Sequence, residues 1–304
     1  MIKINPVYQK ELKQTARMKK IMILLLVFNS LLALFGLFAF YLTFEGAKEA
    51  NNVIDYADIL MIYAIITAIE FVLVLVLVPG LTAGAISSER EKQTLDILLS
   101  TTIKPGAVIR GKLLASIHFM ILLAISSLPV IAIVFAIGGI TIWEIARLIL
   151  LLVVTAVYIG SMGIFYSCLC KRSTIATVCT YATILILTIG LTMLVMGEQV
   201  MQYVFEPDIV YYRTGANAVD ANESFLFLLI NPLFTYASLM FEQIGVELGS
   251  FGRWKTTHQG TYYIFQNWYY VSILVQLLIS SFLLWIAGHM IRPNRMSIKK
   301  KQIL

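Results

Sequence analysis

Charge is what this chain has least of. Only 13% of its 304 residues are Asp, Glu, Lys or Arg, while 59% are hydrophobic. Soluble domains carry roughly a quarter charged residues. A chain so composed cannot clothe a water-facing surface, which excludes a soluble domain and leaves a membrane protein. Cysteine is scarce as well: Cys168, Cys170 and Cys179 are odd in number and lack the two-residue spacing of zinc pairs. They read as free thiols, not as a disulfide framework or a metal site. Of the three histidines, His118, His258 and His289, none stands in an H-E-x-x-H or similar metal-binding spacing. The pattern G-x-x-x-x-G-K-[ST] is absent, so the chain does not hydrolyse nucleotide by way of a P-loop. Its first apolar run is too long for a signal-peptide core and has no small-residue cleavage pattern, so it is expected to be a retained anchor. A single acid, Glu70, lies deep within an apolar run. An intramembrane enzyme needs at least two catalytic groups meeting in the bilayer, and that requirement argues against enzymatic activity.

What the chain does have is apolar length. Six segments reach the roughly 20 residues a helix needs to cross a bilayer: 21–44, 58–83, 113–138, 143–168, 174–196 and 268–291. Lys and Arg count six before the first span, five in the 84–112 loop, two in 169–173 and five after residue 291. The opposite side holds only Lys48, Arg147, Arg213, Arg253 and Lys255. The positive-inside rule then places both termini in the cytoplasm. Twelve of the 17 acids fall on the outer side. The net charge of +6 is therefore a cytoplasmic excess partly cancelled outside, and gives no reason to invoke nucleic acid. The expected fold is an all-α polytopic membrane protein, one domain over 1–304, with six transmembrane helices.

Three segments fall outside that plan. In the first, Asn5 can cap a helix, Pro6 suits its first position, and Val7, Tyr8, Leu12, Thr15 and Ala16 recur at helical spacing. Lys10, Lys13 and Arg17 occupy other positions, so an amphipathic interfacial helix against membrane lipid is expected. In the extracytoplasmic segment 197–267, residues 225–241, "FLFLLINPLFTYASLMF", are apolar but short and interrupted by Pro232. They read either as a helix pair that dips into the outer leaflet and returns, or as the core of a packed outer segment. The aromatic run 262–270 fits an interfacial belt leading into span 6. The third segment is "SSEREKQTLDILLSTTIKPG", 87–106, which crowds Glu89, Arg90, Glu91, Lys92 and Asp96 between two apolar runs. Ser88 with Glu91 has the spacing of a capping box, and Leu95, Leu98 and Leu99 form a small apolar face. A capped cytoplasmic helix is expected here, ending before Lys104-Pro105-Gly106 turns the chain. A passive connector needs neither the cap nor the leucines.

Residues 84–115, "GAISSEREKQTLDILLSTTIKPGAVIRGKLLA", resemble the cytoplasmic loop of ABC type-2 permeases. The resemblance is carried by Glu89, Arg90, Glu91, Thr94, Leu95, Leu98, Leu99, Gly111, Lys112 and Leu113. "NPVYQKEL" (5–12) resembles the family's N-terminal pattern and "INPLF" (230–234) its outer motif, so the likeness covers essentially the whole chain. The sequence departs at Gln93, where the family usually has glycine, and its proline after the leucines is displaced to Pro105. The resemblance implies an exporter permease with no cofactor of its own, sited in a prokaryotic plasma membrane. Its partners would be an ABC ATPase subunit carrying ATP and Mg and a second permease, identical or homologous. It also makes the 87–106 loop a coupling helix that docks on the ATPase through Glu89, Arg90, Glu91, Thr94, Leu95, Asp96, Leu98 and Leu99. A non-transporting anchor or sensor that recruits a partner through the same loop is the alternative.

Glu70 sits mid-span, where a lipid-facing acid costs about 2.5–3.5 kcal/mol, so it should face the bundle or a wet cavity. Tyr63 and Thr67 can share its helix face. Span 5 carries a similar stripe, Thr177, Tyr181, Thr188 and Thr192. In the family, spans 2 and 5 line the path between the two membrane subunits, which makes these seven residues candidates for the translocation path. A purely structural hydrogen-bonding role is the other reading. The mostly apolar spans favour an amphipathic or lipid-soluble substrate without naming one.

Overall fold

The computed structural model describes residues 6–16, 19–49, 56–95, 105–137, 140–205, 223–244, 264 and 266–291. Among these residues there is no strand. The order is α1 (Pro6–Ala16), α2 (Lys19–Glu49), α3 (Tyr56–Thr82), a short α4 (Ser87–Glu91), α5 (Pro105–Ile137) and α6 (Ile142–Leu169). After these come α7 (Ser173–Leu185), a π-turn (Ile186–Gly190), α8 (Leu191–Phe205), a 3-10 segment (Glu223–Ile230), α9 (Pro232–Gln243) and α10 (Trp268–Met290). Six helices are long and apolar enough to cross a membrane, with α7, the π-turn and α8 together making the fifth. They overlap the six expected spans, though the helices of the first and fifth run on to Glu49 and Phe205, past the expected 44 and 196. Span 3 begins with Pro105, not at 113, because a proline already set at helical φ starts the helix instead of turning the chain before it.

The bundle is built around α6, the most enclosed of the six, which packs on α3, α5, α7 and α10. Its start is fixed by a capping box: Thr141 Oγ1 accepts from the Glu144 amide at 3.3 Å, and Glu144 Oε2 accepts from the Thr141 amide at 2.6 Å. Towards its other end, Gly163 lets α3 come within backbone reach. A Cβ there would overlap the Thr82 hydroxyl and stand 3.1 Å from the Ala83 amide nitrogen. Such small-residue contacts let helices pack where no hydrophobic force drives them together. By contrast, α2 buries Phe28, Leu32 and Ala39 but leaves Met22, Leu26, Leu34, Leu37 and Phe38 exposed, as a lipid-facing span should.

The N-terminal helix is amphipathic as expected, yet its apolar side meets protein. Val7 is buried in a cluster with Ile86, Leu95, Val108, Ile109 and Leu113. Tyr8 Oη lies 3.4 Å from His118 Nδ1, while Lys10 and Lys13 are exposed. Asn5 and Arg17 lie outside the described residues, as do the side chains of Thr15 and Ala16.

Residues 224–243 form two helical arms bent by 96° at Asn231. Pro232 does not interrupt a helix here; it occupies the first position of α9, and Asn231 Oδ1 caps the helix by accepting from Leu233 N at 2.9 Å. The second arm inserts Tyr236, Leu239 and Met240 into the main core. The first arm places Phe225 and Leu228 in a smaller cluster with Val195 and Trp268. The aromatic belt is only partly realised. Trp268 and Tyr269 are buried, Tyr270 is exposed, and Tyr262, Tyr263 and Phe265 lie outside the described residues.

Candidate functional site

The start of the charged run, Ser87–Glu91, forms one helical turn, and its expected capping box does not form. The cap comes from another element. Ser167 Oγ of α6 accepts from the amides of Ile86 and Ser87 at 2.8 and 2.9 Å. Glu91, freed from capping its own helix, reaches to the start of α7 and accepts from the Ser173 amide at 2.9 Å and the Ser173 hydroxyl at 2.7 Å. Arg90 donates to the last carbonyls of α6, from Nη2 to Cys168 O at 3.2 Å and from Nη1 to Cys170 O at 3.1 Å. Glu89 accepts from the Thr94 hydroxyl and pairs with Lys112 at 3.4 Å, and Lys112 pairs in turn with Glu11 of α1 at 2.9 Å.

The turn ends in a Schellman motif. The Thr94 amide bonds to Glu89 O at 2.9 Å, the Gln93 amide bonds to Arg90 O at 3.1 Å, and Gln93 sits at φ 57°. That left-handed position is the one glycine fills most cheaply. It accounts for the glycine that ABC type-2 permeases usually carry here. Leu95 follows, buried in the second cluster with Ile86, Val108, Leu113, Ile164 and Cys168. Asp96, Leu98 and Leu99 lie outside the described residues.

Within the membrane, Tyr63, Thr67 and Glu70 do share one face of α3, and all three are buried inside the chain. Ser127 of α5 donates to Glu70 Oε1 at 2.7 Å. Glu70 makes no ion pair among the described residues, and both its Oε2 and the Tyr63 hydroxyl are buried without a hydrogen-bond partner. Thr67 Oγ1 lies 2.9 Å from Tyr236 Oη, Tyr236 donates to Ala64 O at 3.0 Å, and its ring stacks on Phe71 at 4.7 Å. The second arm of the bent pair thus meets this stripe at Thr67.

The span 5 stripe divides between neighbours. Thr177 donates to Ser173 O at 2.9 Å, and Tyr181 donates across to Val76 O of α3 at 2.6 Å. Thr188 donates to Ile184 O at 2.7 Å and Thr192 to Thr188 O at 2.6 Å. Asn231 Nδ2 reaches the Thr188 carbonyl at 2.9 Å and the Thr192 hydroxyl at 2.7 Å. One residue therefore caps α9 with its oxygen and holds span 5 with its nitrogen.

Near the start of α6, Arg147 forms a two-toothed ion pair with Glu242 of α9, with Nη1–Oε1 at 2.8 Å. Its guanidinium lies 4.9 Å from the Tyr269 ring centre, and Tyr269 donates to Arg147 O at 2.7 Å. Sequence reasoning passed over Ser127, Ser167, Ser173 and Arg147. Nothing in their local sequence distinguishes them, since each gains its role from an element far away in the chain. Asn231 could have been found, because Asn followed by Pro is a cap followed by a first helical residue. No group of three His, Cys, Asp or Glu able to hold a metal occurs among the described residues, and the three cysteines are unpaired.

Residues 5–288 match the family model described as "ABC-2 family transporter protein". Comparison with curated proteins gave no match.

Proposed function

The chain belongs to the ABC-2 family of transporter proteins, and on that premise we propose that it is the membrane-spanning permease subunit of an exporter driven by a separate ATP-hydrolysing subunit. It is a multi-pass membrane protein and a permease component of an ABC transporter, a class that works with an ABC ATPase. The finer reading is that the 87–106 loop docks on the ATPase, that ATP and Mg are held by that partner alone, and that a second permease completes the path. Both termini then lie in the cytoplasm of a prokaryotic cell.

One observation carries this reading. The loop after span 2 is mounted on α5, α6 and α7 by directed hydrogen bonds and an ion pair, and Lys112 of α5 links it on to Glu11 of α1. A loop fixed to three elements can pass on a push, whereas a loose connector would absorb it. For the path, the proposal keeps Tyr63, Thr67, Glu70, Thr177, Tyr181, Thr188 and Thr192 as candidates. The first three are buried within the chain, and Thr67 among them becomes accessible if the bent pair moves, since Tyr236 bonds to it.

The test is coexpression with an ABC ATPase encoded beside this chain. Copurification and an ATP turnover stimulated by the permease are expected. A stable complex whose ATP turnover ignores the permease would favour the anchor or sensor instead, and no complex at all would defeat the coupling role.

A further inference from the structure

The dipeptide Arg90-Glu91 joins two helix ends of opposite polarity. Arg90 covers the terminal carbonyls of α6, the negative end of that helix, through Cys168 O and Cys170 O. Glu91 covers the positive end of α7 through the amide and hydroxyl of Ser173. Only Cys170, Lys171 and Arg172 separate those two helices. Consecutive residues on one short turn thus bridge the junction with matched signs, and Ser167 holds the same turn from beneath.

We propose that Arg90 and Glu91 are positioning residues that act within the chain, as a clamp carrying the load on the loop directly into span 5. The inference rests on the ATPase partnership proposed above but reverses the expected role of these two side chains. Glu91 is exposed, like Lys92 and Gln93, but both its oxygens are engaged by α7 and the Arg90 guanidinium by α6, so contact with the ATPase falls to the residues that follow. Order matters as much as composition. Exchanging the two residues keeps net charge and size but sets each charge against the wrong helix end.

The experiment uses the complete transporter, permease with its ATPase, in native-like bilayers. Hydrogen–deuterium exchange over 173–185 is followed with and without vanadate-trapped nucleotide. Wild type is expected to show a nucleotide-dependent change there. The exchanged variant R90E/E91R should still copurify with the ATPase and hydrolyse ATP, while that change falls about tenfold, the scale expected when charge-assisted hydrogen bonds are lost. Ser167→Ala, at a buried position no partner can touch, should reduce the change in the same direction. It also serves as the milder variant if the exchange prevents membrane insertion. Loss of copurification in an inserted R90E/E91R protein would place these residues on the ATPase and overturn the clamp. An undiminished nucleotide-dependent change in the inserted variants would overturn it too. Failure of the wild-type chain to copurify would instead defeat the partnership itself, and the clamp with it.

Discussion

The Thr94 amide lies 2.9 Å from the Glu89 carbonyl, closing a turn that forces Gln93, between them, to φ 57°. A residue with a Cβ pays roughly 1 kcal/mol or more to stand there, and glycine does not. Gln93→Gly should therefore raise the thermal stability of the purified protein, by about 0.5–1 kcal/mol after allowing for the freer unfolded chain. Gln93→Val, branched at Cβ, should lower it. Paired thermal melts in one detergent decide the matter, and a Gly variant no more stable than wild type would remove the left-handed turn as the reason for the glycine.

Gly163 sits where any Cβ meets the Thr82 hydroxyl and the Ala83 backbone. Gly163→Ala should push α3 away from α6 and cost about 1–3 kcal/mol, the usual penalty for overpacking. Gly46, with open space around it, is the control position, and Gly46→Ala should leave the melting temperature nearly unchanged. Equal behaviour of the two variants would contradict the close approach.

Glu70 and Ser127 form one buried pair across α3 and α5 at 2.7 Å. Glu70→Gln keeps the shape and an acceptor oxygen, so the protein should still insert and fold. In a double-mutant cycle, Glu70→Gln and Ser127→Ala should be non-additive by about 1 kcal/mol. Simple additivity in the melts would mean that the pair is not coupled.

Asn231 permits two separable losses. Asn231→Asp keeps the oxygen that caps α9 but removes the donor to Thr188 and Thr192, whereas Asn231→Ala removes both. The Ala variant should lose about 1 kcal/mol for the missing cap, whereas the Asp variant buries a carboxylate beside the Thr188 carbonyl and should lose more. Hydrogen exchange over 223–243 in Asp should rise beside span 5 while the first turn of α9 stays protected. Identical exchange patterns in the two variants would defeat the division of labour.

The spans were legible because a bilayer demands a long apolar run and little else. The N-terminal helix and the bend at Asn231-Pro232 were legible because caps and prolines act over a few residues. The charged loop was not. Ser88 and Glu91 have the spacing of a capping box, but Ser167 supplies the cap and Glu91 is drawn to Ser173, so tertiary partners outbid a local rule of similar strength. The same holds for Glu70. Its mid-span position announced a buried partner, yet only the packing of α5 identifies Ser127.

The π-turn at Ile186–Gly190 carries one residue more than an α-turn would. A surplus residue rotates everything beyond it by about 100° relative to a regular helix. Thr192 owes its meeting with Asn231 to that offset, while Tyr181, before it, addresses Val76 regardless. Span 5 is thus two half-helices in different phase, the one before the π-turn keyed to span 2 and the one after it to the bent pair. Deleting a single residue between 186 and 190 would remove the surplus, so the span should close as a regular α-helix with Tyr181 still at Val76 and Thr192 still at Asn231.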